Sequence, residues 1–318
     1  MKKIILIFIA LMSLISLYGC KAYTVEYTDN NPFQIAMKND TVKILQVTDL
    51  HLTFGIDDYD NKTLKLIHNL AKADDYDLIV ISGDLTMSPS APALFTKLIN
   101  YMESIEIPWT FVFGNHEADF NSYTEILAKV NVETEYMYFK VGPELTDGGY
   151  GNFKIEFTKD GLPFYNAYFL DSKAERAVYT EEEGEYDYLS TAQVQWYEDL
   201  VSTDTVESIV FMHIPLRQYI NPATYVGTFN EDKVYAQGRD TGFYDAMVTY
   251  GMSKGVFVGH DHKNDFYLIK DDIILAYGRA TGFNAYGNLE LGGRHIEINA
   301  LGELSTNSTY IVFESEVS

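Results

Sequence analysis

Val42-Lys43-Ile44-Leu45-Gln46-Val47-Thr48-Asp49-Leu50-His51 is the stretch whose reading decides the fold. Val42–Val47 is largely apolar and β-branched, which predicts a buried strand. The strand stops at a carboxylate and an imidazole two residues apart. The same arrangement recurs along the chain. Leu78–Ser82 runs into Gly83-Asp84, and 109–113 runs into Gly114-Asn115-His116-Glu117. Ser208–Phe211 leads to His213, and 255–258 leads to Gly259-His260-Asp261-His262. In open α/β sheets, ligands bind just beyond the carboxyl ends of the strands, where a rigid backbone lets side chains converge.

The segments between these strands read as helices. Leu64, Ile67, His68 and Ala71 share one helical face within 61–73. Helices are also predicted over 91–104, 121–130, Thr191–Val201 and 240–250. This alternation predicts an α/β protein with helices covering a sheet. The middle, 136–170, carries alternating aromatics and the glycines Gly148, Gly149 and Gly151, and is predicted as antiparallel strands. From Phe266 onward the pattern is strand-rich, with strands at 273–276, 295–298 and 310–313. There is no internal repeat, low-complexity stretch or linker, so a single domain over 41–318 is expected.

Composition narrows the functional classes. The 318 residues are 47% hydrophobic and 22% charged, ordinary for a globular chain and wrong for a coiled coil, a collagen or a disordered tail. Acidic residues outnumber basic ones 46 to 23, a net charge of −23. Such a surface repels phosphate backbones, so no nucleic-acid partner is expected. The 25 Tyr and 19 Phe are most simply accounted for by strand packing.

The N-terminus reads as a targeting segment. Lys2 and Lys3 precede an apolar run over 4–17 that is too short to span a membrane and suits a secretory signal. The run ends at Tyr18-Gly19-Cys20. Cys20 is the only cysteine, so neither an internal disulfide nor thiol catalysis is available. Its position resembles a bacterial lipoprotein processing site, with 1–19 removed and the sulfur lipidated. The expectations are therefore a polar tether over 20–40 and an extracytoplasmic, membrane-anchored protein, or alternatively an ordinarily secreted one.

Five of the seven histidines lie in the strand-end motifs, the other two being His68 and His295. Carboxylates, imidazoles and one amide suit Mn, Fe or Zn, whereas a Ca²⁺ loop would be nearly all oxygen. Extended backbone after each strand would put Asp49 and His51 on one side, and likewise His260 and His262.

In this order the motifs resemble those of the calcineurin-like metallophosphoesterases. The match runs over roughly 43–298 and is strongest over 255–266. Gln193-Val194-Gln195-Trp196 and Tyr277-Gly278-Arg279-Ala280-Thr281-Gly282 are similar to the purple-acid-phosphatase-like branch of fungi and plants. The resemblance implies a four-layer α/β/β/α sandwich of two mixed sheets. It also implies two divalent or trivalent metal ions. Asp49, His51 and His262 would hold one, Asn115, His213 and His260 the other, with Asp84 bridging. His116 would act as general acid, and a hydroxide bridging the metals would attack phosphorus. The implied function is hydrolysis of a phosphoric ester, foremost a monoester of a small molecule or phosphoprotein. A phosphodiesterase using the same ligands is the alternative. A surface binding lipoprotein that kept the fold and lost the chemistry is a further alternative; a lost ligand would signal it, but all seven positions are filled.

Two departures stand out. True purple acid phosphatases resemble Asp-x-Gly in the first motif, where this chain has His51. The position that carries a metal-bound Tyr in true purple acid phosphatases, and an Asp orienting the catalytic His in many serine/threonine phosphatases, is Met87 here. No tyrosinate colour is expected, and the partner of His116 is open between Glu117, another carboxylate and none. Arg279 and Arg217 are candidates for binding phosphate oxygens. Asp265 is a candidate to orient a ligand His, with loop capping as the alternative. Asp171 is expected in a turn, Tyr286 and Phe283 in packing or along a leaving-group pocket, and His68 and His295 in structural roles.

Overall fold

The computed structural model describes residues 23–317. Twelve strands form two sheets among the described residues. In chain order they are β1 (Phe33–Ala36), β2 (Val42–Val47), β3 (Leu78–Ser82), β4 (Trp109–Val112), β5 (Phe153–Lys159), β6 (Leu162–Phe169), β7 (Ser208–Phe211), β8 (Ser253–Val258), β9 (Tyr267–Lys270), β10 (Ile273–Tyr277), β11 (Gly292–Ile298) and β12 (Leu304–Phe313). One sheet has the order β12-β11-β2-β3-β4 and the other β1-β5-β6-β7-β8-β10-β9. Both are mixed: β2, β3 and β4 run parallel, as do β6, β7, β8 and β10, while β11 and β9 pair antiparallel with their neighbours.

Side-chain alternation sets the layers. In β3, Leu78 and Val80 face one core while Ile79 and Ile81 face another. The shared inner core joins Ile44, Val80 and Val112 of the first sheet to Phe157, Phe211, Phe257 and Ala276 of the second. The outer face of the first sheet packs on helices Tyr59–Ala71, Ala91–Glu103 and Tyr123–Val130. The outer face of the second packs on Thr191–Val201 and Phe243–Tyr250. The architecture is the four-layer α/β/β/α sandwich.

Local rules explain most element boundaries. Ser122 and Ser190 close capping boxes with Glu125 and Gln193, satisfying the first free N–H groups of their helices. Three expectations need correction. Helix 240–250 begins only at Phe243, because Asp240 instead accepts the Gly242 N–H and Gly242 is left-handed. Of the strands expected over 136–170, only β5 and β6 form. The segment before them is held by contacts such as Thr110 Oγ1 to the Tyr138 carbonyl.

The third correction concerns the segment expected as a polar tether. Phe33–Ala36 pairs parallel with β5 as an edge strand. Asn30 accepts from Trp196 Nε1 at 2.8 Å, and Lys140 Nζ donates to Asp29 and to the Asn31 carbonyl. A polar stretch can still dock when its polar groups find partners on the domain. Cys20 and the leader lie outside the described residues. No helix among the described residues is long and apolar enough to cross a membrane.

Candidate metal centre

The strand ends of both sheets meet at one place. Past β2 and β3 the backbone ladder continues: Asp49 N–H donates to the Gly83 carbonyl, His51 N–H to that of Asp84 and Leu52 N–H to that of Leu85. The sheets are tied across by Gln46, whose amide donates to Ser82 Oγ and to the Val258 carbonyl. His260 N–H donates to Asp49 Oδ1 at 3.1 Å.

Four of the seven ligand candidates leave the extended backbone, contrary to expectation. Asp49, His51, Asp84 and His260 have φ of 55°, 45°, 52° and 80°. Left-handed non-glycine residues are uncommon and cost energy, and they gather at sites where the surroundings enforce them. Here the turns, rather than strand alternation, bring Asp49 and His51 to one point. Two glycines make room for this. A Cβ on Gly83 (φ 101°) would lie 2.3 Å from the His213 ring, and one on Gly114 would lie 2.2 Å from Asp84 Oδ1.

Two donor groups result. One ligand atom each from Asp49, His51, Asp84 and His262 falls within a 4.8 Å cluster, and Asp84, His213 and His260 form a second. His51 Nε2 and His262 Nε2 point at each other, 3.0 Å apart. His213 Nε2 lies 3.1 Å from Asn115 Oδ1 and 3.2 Å from Asp84 Oδ2, while its Nδ1 donates to the Ser82 carbonyl at 2.8 Å. That bond fixes the ring and aims Nε2 at the shared carboxylate. All seven side chains are buried.

The electrostatics suit cations. Burial holds His51 down to about 4 and His260 down to about 3, so both are neutral with lone pairs free. Neither ring nitrogen of His260 has a hydrogen-bond partner, and Nδ1 of His51 and of His262 is also unpartnered. Burial works to raise Asp84, but the charge and hydrogen bond of His213 above all pull it well below the usual range. Buried carboxylates beside the neutral, partly unpartnered rings of His51 and His260 form a donor set that could hold two metal ions sharing Asp84.

His116 stands beside this set. Its Nε2 is 4.0 Å from Asp84 Oδ2, and its ring is 5.2 Å from that of His51. Its Nδ1 contacts Asp119 Oδ2 at 2.7 Å. Glu117 is turned the other way and buried, accepting from the N–H groups of Leu85, Thr86 and Gly114. It therefore locks the loop carrying Asp84 to the loop carrying Asn115.

A cavity of about 370 Å³ opens over the cluster, lined by Asp84, His116, His260 and His262 and by Tyr186, Glu231, Tyr235, Lys263 and Tyr286 among others. Tyr286 stacks on His262 with centroids 3.9 Å apart, and Tyr186 meets His260 edge-on at 4.3 Å. Tyr286 therefore lines the pocket, while the partly buried Phe283 packs on Tyr59 at the margin of the helix-side core. Sequence reasoning did not find Tyr186, Glu231 and Tyr235. They come from irregular segments without periodicity.

The two arginine candidates are not brought to the cavity. Arg279 is 2% exposed and spends its guanidinium on Asp265 at 3.3 Å and on the Glu290 carbonyl at 2.7 Å. Arg217 donates to the Gln237 and Gly238 carbonyls. Asp265 caps a loop through Thr228 N–H rather than orienting a histidine. Asp171 accepts from Tyr150 and Lys173 N–H groups, in keeping with a turn. His295 is buried between Tyr76 and Tyr310, and His68 sits half-buried on its helix, both away from the cluster.

Comparison with known proteins agrees with this geometry. The calcineurin-like phosphoesterase family model matches residues 42–264. The chain is 27% identical over 292 residues to "Probable inactive purple acid phosphatase 14" of Arabidopsis thaliana, covering 78% of this chain and 72% of that one. It is 29% identical over 274 residues to "Phosphatase DCR2" of Saccharomyces cerevisiae, covering 74% of this chain and 47% of that protein. A dimetal phosphatase from Danio rerio shares the fold, with a TM-score of 0.56 over 86% of this chain and 99% of the other at 9% identity. The family match covers well over half of the sequence and spans all five strand-end motifs, so the chain belongs to the calcineurin-like phosphoesterase family.

Proposed function

We propose that the protein hydrolyses phosphoric monoesters at a dinuclear metal centre. The observation that carries this is the convergence of six buried Asp and His donors from both sheets into two groups that share Asp84, with buried Asn115 against His213 in the second. Asp49, His51 and His262 would hold one ion, and Asn115, His213 and His260 the other. When bound, such a pair polarises the phosphoryl group and makes water nucleophilic at neutral pH.

The chain's own residues supply the rest. His213 is held by Ser82, so the second donor group is set before substrate arrives. His116 Nε2 faces the cavity, placed to give a proton to the leaving oxygen. Tyr186, Tyr235 and Tyr286 place an aromatic flank beside the site of the leaving group. Lys263, the basic residue in the lining, is paired with Glu231 at 2.9 Å. The cavity thus suits an uncharged or planar leaving group better than one bearing a second phosphate.

Relatives named as phosphatases favour the monoester reading. The word "inactive" in the names of three Arabidopsis thaliana relatives raises the non-catalytic alternative, and the filled ligand set speaks against it here. The Lys2–Cys20 pattern supports export and lipid anchoring; fractionating cells that carry Cys20→Ser tests this, since the variant should leave the membrane fraction.

The functional test compares p-nitrophenyl phosphate with bis-p-nitrophenyl phosphate, using protein stripped by chelator and resupplied with Mn, Fe or Zn. Faster monoester turnover supports the proposal. Faster diester turnover promotes the phosphodiesterase. No turnover of either ester by metal-loaded protein favours the binding protein.

A further inference from the structure

We propose that Asp119 positions His116 for proton transfer, taking the part that Met87 cannot play. The inference rests on the hydrolase reading above and names a residue that reading does not need.

The geometry is local and specific. Asp119 N–H donates to the His116 carbonyl at 3.2 Å, closing a tight turn. That turn returns the side chain at i+3 to the side chain at i, and Asp119 Oδ2 reaches His116 Nδ1 at 2.7 Å. The loop beyond is pinned as well, since Asn121 Nδ2 donates to the Ser88 carbonyl at 3.1 Å. With Nδ1–H bound to Asp119, Nε2 is directed towards Asp84 and the cavity. Among the described residues no other carboxylate is placed to do this: Glu117 is spent on three backbone N–H groups, and Asp84 lies on the Nε2 side.

A carboxylate behind an imidazole fixes the tautomer and ring orientation and stabilises the imidazolium. In the reaction, a water oxygen bonds to phosphorus as the bond to the leaving oxygen breaks. The leaving oxygen keeps the electron pair and takes the proton from His116 Nε2. The proton shed by the attacking water returns to solvent, and His116 is reprotonated from there. Asp119 stays ionised and touches no reacting atom.

Asp119 is partly exposed, so truncating it opens a place for water and leaves no buried charge behind. The experiment uses metal-loaded protein and two esters of nearly equal size. p-Nitrophenyl phosphate has a leaving group that needs no proton, and p-nitrobenzyl phosphate has one that does. Asp119→Ala should lower kcat for the benzyl ester on the order of tenfold or more and leave its KM and the p-nitrophenyl rate nearly unchanged, because a general acid matters only where the leaving group needs it. Asp119→Glu should restore part of the loss, and His116→Ala should show the same ester selectivity. Equal loss on both esters would overturn the proposal.

A second readout does not need turnover. In zinc-loaded, ¹⁵N-labelled protein, Asp119→Ala should shift the His116 Nδ1 resonance and remove its downfield proton. An unchanged ring spectrum overturns the assignment. Wild-type protein that turns over neither ester sinks the hydrolase reading, while the ring spectrum still decides whether Asp119 holds His116.

Discussion

His213 Nε2, at the end of β7, lies 3.2 Å from Asp84 Oδ2, at the end of β3, so the two sheets meet through an imidazole–carboxylate pair. Burial alone would lower the His213 pKa, but Asp84 and Asp49 outweigh it and push it up to about 10. At neutral pH the metal-free site therefore holds a proton on His213, where the proposed metal ion would bind. Ligation through Nε2 requires that proton to leave. Adding Zn²⁺ to stripped protein near pH 7 should release protons into weakly buffered solution, and affinity should fall as pH falls. Binding without proton release and without pH dependence would contradict the assignment of His213 as a ligand.

Glu117 supports the same loops from below. It gathers the N–H groups of Leu85, Thr86 and Gly114 on one buried carboxylate. Glu117→Ala leaves them unsatisfied and frees the loops that carry Asp84 and Asn115. Metal affinity should drop by about 10–100-fold, the usual cost of losing a group that orients ligands. Competition with a chromophoric chelator measures it, and an unchanged affinity would show that the loops hold themselves.

The five strand-end motifs were legible because each strand is a short apolar run that stops at a chemically distinctive residue. Asp84 and His213 could be named without knowing how far apart the strands lie. The way Asp49 and His51 converge was not legible, because left-handed φ at a non-glycine residue leaves no periodicity to read. Arg279 illustrates a different failure. In sequence, an arginine beside glycines after a strand looks the same whether it meets a phosphate or a buried Asp265. Phe33–Ala36 was hidden for a third reason: Phe33 and Ile35 do alternate towards the inner core, but four residues directly after Asn30-Asn31-Pro32 are too short a run to read as a strand. Asp119 carried one weak signal, its i+3 spacing from His116.

The tyrosines near the cluster make a spectroscopic prediction. Tyr286 gives its hydroxyl to Glu231 at 2.8 Å, and burial raises the pKa of both Tyr286 and Tyr186. Each presents a protonated phenol rather than a tyrosinate to the cluster. Protein loaded with Fe³⁺ should lack the intense visible charge-transfer band of an iron–tyrosinate bond. A purple solution would mean that one of them becomes a ligand.

Asp171 makes a prediction about stability. Burial raises its pKa from 3.8 to about 6, against backbone hydrogen bonds from Tyr150 and Lys173 and the charge of Lys173 that work to lower it. Between these values the unfolded chain is ionised while the folded one keeps its proton. The stabilising contribution is therefore complete at about pH 4 and is lost as pH rises through about 6. Relative to Asp171→Asn, the wild type should lose up to about 3 kcal/mol over that range. Urea unfolding of metal-free protein at several pH values checks this. A constant difference between the two proteins would contradict it.

The central claim is that Asp49, His51, His262, Asn115, His213 and His260 form two sites joined by Asp84. Metal content per chain tests it most directly, measured by elemental analysis after loading with Mn, Fe or Zn and removal of free ion. The account predicts two ions per chain in the wild type and fewer than two in Asp84→Asn, with the fold unchanged by circular dichroism. One ion or none in the wild type, or two retained after Asp84→Asn, would contradict it.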